Sequence, residues 1–312
     1  MHNAMINLKQ FLVVFTIIAI GRNTYAEPKD LDIMVKGGKL ASLFEYPEVV
    51  VVELAKNNAP QKFCSGVLIA SDVVLSAGHC VQDGYQPVRA TSTLNINLTI
   101  RSSENYARQP ATGIPKVQSI KVLSFIAMDP TSIEQGKKLK GRDLLILKLS
   151  AKFEGPAISI PIANLNGIDR AKTIRFVGFG LDGQGSHGHK LYADVDIVAP
   201  RCRSGALGEE AGCREDVELY AKTSNGEFDA CRGDSGGPAY IRNIDGRYRL
   251  VGITSRASSP SQQCGGGTFV TLLDGNRLEW IRKHVEVKLT PEPLHPMSPP
   301  IPACPPSECP TK

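Results

Sequence analysis

Short apolar runs broken by turn residues dominate the chain between residues 35 and 286. "EVVVVEL" (48–54), "FCSGVLI" (63–69), "DVVLSA" (72–77), "LLILKL" (144–149), "TIRFVGFG" (173–180) and "YRLVGITS" (248–255) are β-branched, apolar and of strand length. Gly, Asn, Asp and Pro fill the gaps, the residues that tight turns favour. Helical spacing appears once, in "NRLEWIRKHVEV" (276–287), where Leu278, Ile281 and Val285 share a face beside Trp280. The pattern predicts an all-β domain of about 250 residues, closed into barrels and finished by one helix. No internal repeat of fixed period is visible.

Both ends of the chain break that pattern. Lys9 precedes the ten-residue run "FLVVFTIIAI", and "GRNTYA" follows, ending at small Ala26. A basic start, a short apolar stretch and a small-residue exit make residues 1–26 a secretory signal. Ten apolar residues are too few to span a bilayer, which takes about 20. At the other end, nine of the twenty residues 291–310 are proline. Such a stretch keeps neither a helix nor a central strand, so 287–312 is expected to be an extended, exposed tail.

Composition narrows the function classes. Export would put the eight cysteines in an oxidising compartment, extracellular or periplasmic, where disulfides persist. Loss of Lys9 and Arg22 with the signal lowers the net charge from +5 to +3, too little to argue for nucleic acid. Zinc-type cysteine pairs and phosphate-binding glycine loops are absent from the sequence. His187 and His189 lie in a glycine-rich stretch without further ligands nearby, so neither metal nor cofactor is expected.

The chemistry concentrates in three stretches. "CRGDSGGP" (231–238) surrounds Ser235 with three glycines and a proline, giving up side-chain packing for a tight turn and free backbone N–H groups. "VLSAGHC" sets His79 at the end of an apolar run, and "GRDLLILKL" sets Asp143 at the mouth of another. His, Asp, Ser is one of the known chain orders of a serine-nucleophile triad. With "SAGHC", "GDSGGP" and "GFG" (178–180) together, residues 35–286 resemble the chymotrypsin family of trypsin-like serine proteases.

That resemblance implies two six-stranded antiparallel β-barrels and a catalytic trio of His79, Asp143 and Ser235. The N–H groups of Gly233 and Ser235 would form the oxyanion hole. Asp229 would sit at the base of a pocket for Arg or Lys, with Ser255, Arg256, Ala257 and Gly267 as further substrate-binding residues. Cys64 would pair with Cys80 and Cys231 with Cys264. Cys202 would bridge locally to Cys213, because Tyr220 stands where the family has a later cysteine, and Cys304 is close enough to Cys309 for a local clip. The family's mature amino terminus matches "VKGG", so residues 27–34 would be a pro-peptide and the freed amine of Val35 would pair with Asp234.

Three positions depart from the family pattern. The segment between His79 and Asp143 is long, "SWG" reads Ser255-Arg256-Ala257, and Arg232 precedes the oxyanion glycine. Arg232 and Arg256 are expected to draw acidic residues into neighbouring subsites or to hold a polyanionic regulator, the alternative being that both face solvent or pair with nearby acids. The reading is therefore a monomeric secreted endopeptidase acting on proteins or peptides, with an activating protease and a protein inhibitor as partners. The alternative is a protease-shaped binding protein that no longer cuts. The sequon at Asn97 bears on neither.

Overall fold

The structure, a computed structural model, describes residues 38–41, 45–91, 118–153, 162–180, 189–203, 212–226, 229–258, 264–286 and 289–296. The proposed signal and pro-peptide, Val35, Asn97, His187, Cys304 and Cys309 lie outside them. β1 (Lys39–Leu40) precedes a barrel of β2 (Val49–Lys56), β3 (Ala59–Ala70), β4 (Val73–Ser76), β5 (Gln86–Thr91), β6 (Ser119–Ala127) and β7 (Leu145–Leu149). Antiparallel pairing runs β2-β3-β4-β7-β6-β5 and closes back on β2. After β8 (Ala163–Asn164) come β9 (Thr173–Gly178), β10 (Leu191–Ala199), β11 (Glu218–Ala221), β12 (Pro238–Arg242), β13 (Tyr248–Ala257) and β14 (Thr268–Leu272). These close in the order β9-β12-β13-β14-β11-β10, with β1 added to β10. Two six-stranded antiparallel barrels result, as the family resemblance implied.

The six predicted strands are β2, β3, β4, β7, β9 and β13. In β2 the four valines are buried on both strand faces, which explains a continuous apolar run in place of an alternating one. Closure of a small barrel demands such filling, because inward side chains must occupy the whole lumen. Leu54, Leu75 and Leu147 pack in the first core, and Ile174, Val195 and Leu219 in the second.

A short helix, α1 (Pro130–Glu134), precedes β7, and α2 (Gly275–His284) matches the predicted helix. Asp274 caps α2 by accepting from the Arg277 N–H (3.0 Å), and Arg282, Lys283 and His284 place cations at its carboxyl end, as the helix dipole favours. Leu278, Ile281 and Val285 are buried against the first barrel's core.

The chain after α2 departs from the exposed tail expected of it. β15 (Glu292–Pro293) pairs in parallel with β8, and Leu294 is buried. Proline lacks the N–H, but Glu292, between Pro291 and Pro293, has one and donates it to the Ile162 carbonyl (2.8 Å). The Glu292 carboxylate adds an ion pair to Arg249 at 2.8 Å. A proline-spaced segment can therefore serve as an edge strand where alternate N–H groups are the ones used.

Two charges are buried where β1 and β2 approach β10 and β12. The Lys190 ammonium donates to the carbonyls of Glu45 and Tyr46, and Glu48 accepts from the Tyr240 hydroxyl at 2.6 Å. Burial pushes Lys190 down to about 8 and Glu48 up from the ordinary carboxylate value. Between pH 8 and 10.5 the unfolded chain therefore holds a proton at Lys190 that the folded one has lost, so stability rises with pH in that window. Thermal unfolding temperatures should climb from about pH 8 to 10, and Lys190→Met should reduce that slope. An unchanged slope in the variant would assign the effect to other groups.

Candidate active site

β4 delivers the first component. It ends at Ser76, and His79 is the second residue of a 3-10 turn (Gly78–Gly84) anchored by the Cys64–Cys80 disulfide. Because β4 pairs with β7 in the register Ser76↔Leu145, the turn lies against Asp143, just before β7. Gly78 eases that contact: a Cβ there would lie 3.2 Å from Asp143 Oδ1, so the neighbours would have to give by a few tenths of an ångström. The His79 N–H donates to Asp143 Oδ1 and His79 Nδ1 lies beside Oδ2, both at 2.8 Å, while the Ser255 hydroxyl donates to Oδ2 at 2.6 Å. Burial alone would raise the Asp143 carboxyl, but the His79 charge and these hydrogen bonds outweigh it and hold the group ionised below its ordinary value. An ionised carboxylate only accepts, so Nδ1 carries a proton, and in the neutral imidazole Nε2 is then the acceptor, 2.9 Å from Ser235 Oγ.

The second barrel supplies Ser235 on a loop that only glycine permits. Gly233 and Gly236 have φ of +99° and +85°. A Cβ on Gly236 would overlap the Ser76 hydroxyl and the Ser65 carbonyl, so the nucleophile loop sits directly on the first barrel. Ser65 is the residue that joins the two: its N–H donates to the Ser235 carbonyl and its hydroxyl to the Gly233 carbonyl, both at 2.8 Å. The same hydroxyl accepts from the Phe179 N–H at 3.0 Å. The N–H groups of Gly233 and Ser235 have no protein acceptor among the described residues. Ser65 was not singled out from sequence, since a serine after a strand cysteine carries no signal.

Asp234 is fully enclosed. Its carboxylate accepts from the N–H groups of Gly180 (2.8 Å) and Cys231 (2.7 Å). Burial pushes it up to about 7, against the pull of those two bonds. Beside Ser235 lies a cavity of about 190 Å³ lined by Ala230, Thr254, Ala257 and Thr268, its walls joined by the Cys231–Cys264 disulfide. Two predicted members stand behind the wall. Asp229 is wholly buried, accepting from the N–H groups of Gly265 (2.8 Å) and Gly267 (2.9 Å) and from the Thr268 hydroxyl. Gly267 is thus a ligand of Asp229 and is not part of the lining, where Thr268 takes its place.

A family model described as Trypsin matches residues 35–281. The chain belongs to the trypsin family. It is 29% identical over 227 residues to a trypsin-like protease of Streptomyces glaucescens, covering 72% of this chain and 73% of that one. Similarity to a trypsin of Saccharopolyspora erythraea is 27% over 223 residues, or 71% and 86% of the two chains. With tissue-type plasminogen activator of Homo sapiens it is 25% over 289 residues, 85% of this chain and 46% of that longer protein. The protein is accordingly a serine endopeptidase.

Around the protease's site, the structure corrects one expectation. Arg256 does not offer a free charge to a substrate: both Nη1 and Nη2 donate to the buried Glu218 carboxylate (Nη2 at 2.9 Å), and the guanidinium lies 4.2 Å over the Phe269 ring. Glu218 also accepts from the N–H groups of Gly141 and Arg214, both at 2.8 Å. The Gly141 carbonyl in turn accepts from buried Arg277 (Nε, 2.8 Å). Gly141, two residues before Asp143, is therefore held by charged groups at both its N–H and its carbonyl, and a local Cys202–Cys213 bridge lies beside Arg214. Removal of one partner from such a network leaves an unpaired buried charge. Glu218→Ala should cost about 3 kcal/mol or more in chemical denaturation and speed amide exchange around 139–143. A loss under about 1 kcal/mol would mean that water replaces the carboxylate freely.

Proposed function

We propose that this protease is a secreted endopeptidase in which Ser235 is the nucleophile, His79 its base and Asp143 the group that orients the imidazole. The 2.9 Å approach of His79 Nε2 to Ser235 Oγ, with Nδ1 committed to a buried carboxylate, carries this reading. Ser235 Oγ attacks the scissile carbonyl carbon as its proton passes to Nε2. The carbonyl oxygen becomes an oxyanion facing the Gly233 and Ser235 N–H groups, where one such donor is typically worth about 2.7–4 kcal/mol. Collapse expels the amine, which takes the proton from His79, and leaves an acyl-enzyme. Water then repeats the sequence and releases Ser235. The paired cysteines and the amino-terminal apolar run support export.

Cleavage after Arg or Lys rests on Asp229. A side chain at the base of the cavity meets Ala230 and the Thr268 hydroxyl first, with the Asp229 charge immediately behind. Asp229 forms no ion pair among the described residues, so a substrate cation gains from it. A fluorophosphonate probe should label Ser235 and fail on His79→Ala. In a scan of the residue before the cut, Arg or Lys should exceed Leu in kcat/KM by ~10²-fold or more. Equal rates for Leu would remove Asp229 from specificity, and labelling that survives His79→Ala would remove His79 from the base role.

Activation by a cut before Val35 is the remaining part of the proposal. Asp234 has no ion-pair partner among the described residues, which suits a site awaiting a cation. Met34 precedes the cut, so a protease of other specificity would make it. In the uncut form, Asp234 raised from 3.8 to about 7 favours folding below pH 3.8, and that contribution is lost as pH rises through 7. Pairing with an amine would abolish this loss. Protein beginning at Val35 should exceed residues 27–312 in kcat/KM by ~10²-fold or more, and should lack the extra stability loss between pH 4 and 7. Equal activity and equal pH profiles would dismiss the precursor.

A further inference from the structure

A second cavity, of about 540 Å³, adjoins the first along β13 and shares Ser255, Arg256 and Ala257 with it. Lys137, Lys138 and Lys140 line its outer side. None of the three forms an ion pair among the described residues. Of the acids at this wall, Asp143 is engaged by His79 and Ser255, and Glu218 by Arg256 and the Gly141 and Arg214 N–H groups. Glu218 thus pairs with the one arginine of the lining, and the three lysines are left without an ion-pair partner among the described residues.

The lysines are also mounted rather than loose at their roots. The Lys137 carbonyl accepts from Gln82 Nε2 at 2.9 Å, Leu139 is buried, and Gly141 is held by Glu218 and Arg277. Gly212 opposite has no side chain, and a Cβ there would lie 3.5 Å from Lys140 Nζ, so the ammonium stays uncovered on that side.

The geometry points to a subsite for acidic side chains: the groove takes substrate segments carrying carboxylates in the two to four residues on the amino-terminal side of the cut bond. This rests on the endopeptidase reading of the neighbouring site. The side chain in the smaller cavity belongs to the acyl half of the substrate. A chain continuing along β13 from it lays its preceding residues beside the three lysines. Exposed pairs are individually weak, but three cations in one concave wall act on the same segment. An acidic run is the chemistry that they recognise.

The test uses two peptides that share the favoured residue before the cut and the same leaving group, preceded by Asp-Asp-Asp or by Asn-Asn-Asn. Wild type should prefer the Asp peptide by about tenfold in kcat/KM at low salt, the ratio falling towards one near 1 M salt. The triple variant Lys137→Gln, Lys138→Gln, Lys140→Gln should bring the low-salt ratio to within about twofold of one. Arg at the three positions should retain the preference. Wild-type ratios near one at low salt, or a preference that survives the triple Gln change, would overturn the proposal. Binding of both peptides to Ser235→Ala protein, read by fluorescence anisotropy, separates the groove from the chemistry. Tighter binding of the Asp peptide, with neither peptide cut by wild type, would uphold the groove and sink the endopeptidase mechanism. Equal binding of the two would sink the groove.

Discussion

One buried charge organises the junction of the barrels. Asp143 is enclosed in a medium where an unpaired carboxylate is costly, so its donors must be supplied by the fold itself. The first barrel supplies two from His79, and the second supplies the Ser255 hydroxyl from β13. Neither barrel alone can satisfy the group. The requirement that both do so fixes the position of β13 relative to the turn after β4, and with it the wall along which a substrate would lie. The Gly141 peptide, held by Glu218 on one side and Arg277 on the other, carries the same constraint outward to β11 and α2.

A second constraint is distance of approach. The Ser235 loop can reach His79 only if backbone meets backbone, which is why glycine recurs on its route. Gly178 and Gly180 lie against the Asp234 carboxyl, Gly233 against the Gly180 backbone, and Gly236 against Ser65 and Ser76. Substituting any of these would push the loop away from the first barrel. Positive φ alone demands glycine at Gly233 and Gly236, whereas at Gly178 and Gly180 it is the space taken by the carboxyl that excludes a side chain.

How much of this was legible in the sequence follows from the range of each interaction. Strands buried on both faces, such as β2 and β7, announce themselves by consecutive apolar residues, Val49 to Val52 and Leu145 to Leu147. β11 does not: four residues including the buried Glu218 resemble a turn until Arg256 is brought to them from 38 residues away. β10 alternates, with Ala193 and Val195 inward and Asp194 and Asp196 towards solvent, yet its pairing with both β9 and β11 is a property of closure. His79, Asp143 and Ser235 were legible because each sits in a short motif whose local demands are unusual. Ser65 and Glu218 were not, since their demands arise only after strands meet. Arg256 was misread for the same reason: its partner cannot be found by spacing. The tail residues 289–296 were misread because proline content reports the missing donors and not the Glu292 donor left between them.

Three aspartates are buried around the site, and they differ in what compensates them. Asp143 has the His79 imidazole, the His79 N–H and the Ser255 hydroxyl, and is held below its ordinary value. Asp229 has only neutral donors, and Asp234 has two N–H groups and is pushed up to about 7. Asp229 contributes to that rise by direct repulsion of Asp234. The two incompletely compensated carboxylates are therefore not independent. On the proposed function, each place takes a cation of its own, the freed amine at Asp234 and a substrate side chain before Asp229. Each carboxylate attracts the other's cation, but the two cations repel one another, so direct electrostatics gives the sites no mutual reinforcement. A link between them has to run through the backbone, and Asp229 and Asp234 flank Cys231, whose bridge to Cys264 ties the nucleophile loop to the cavity wall.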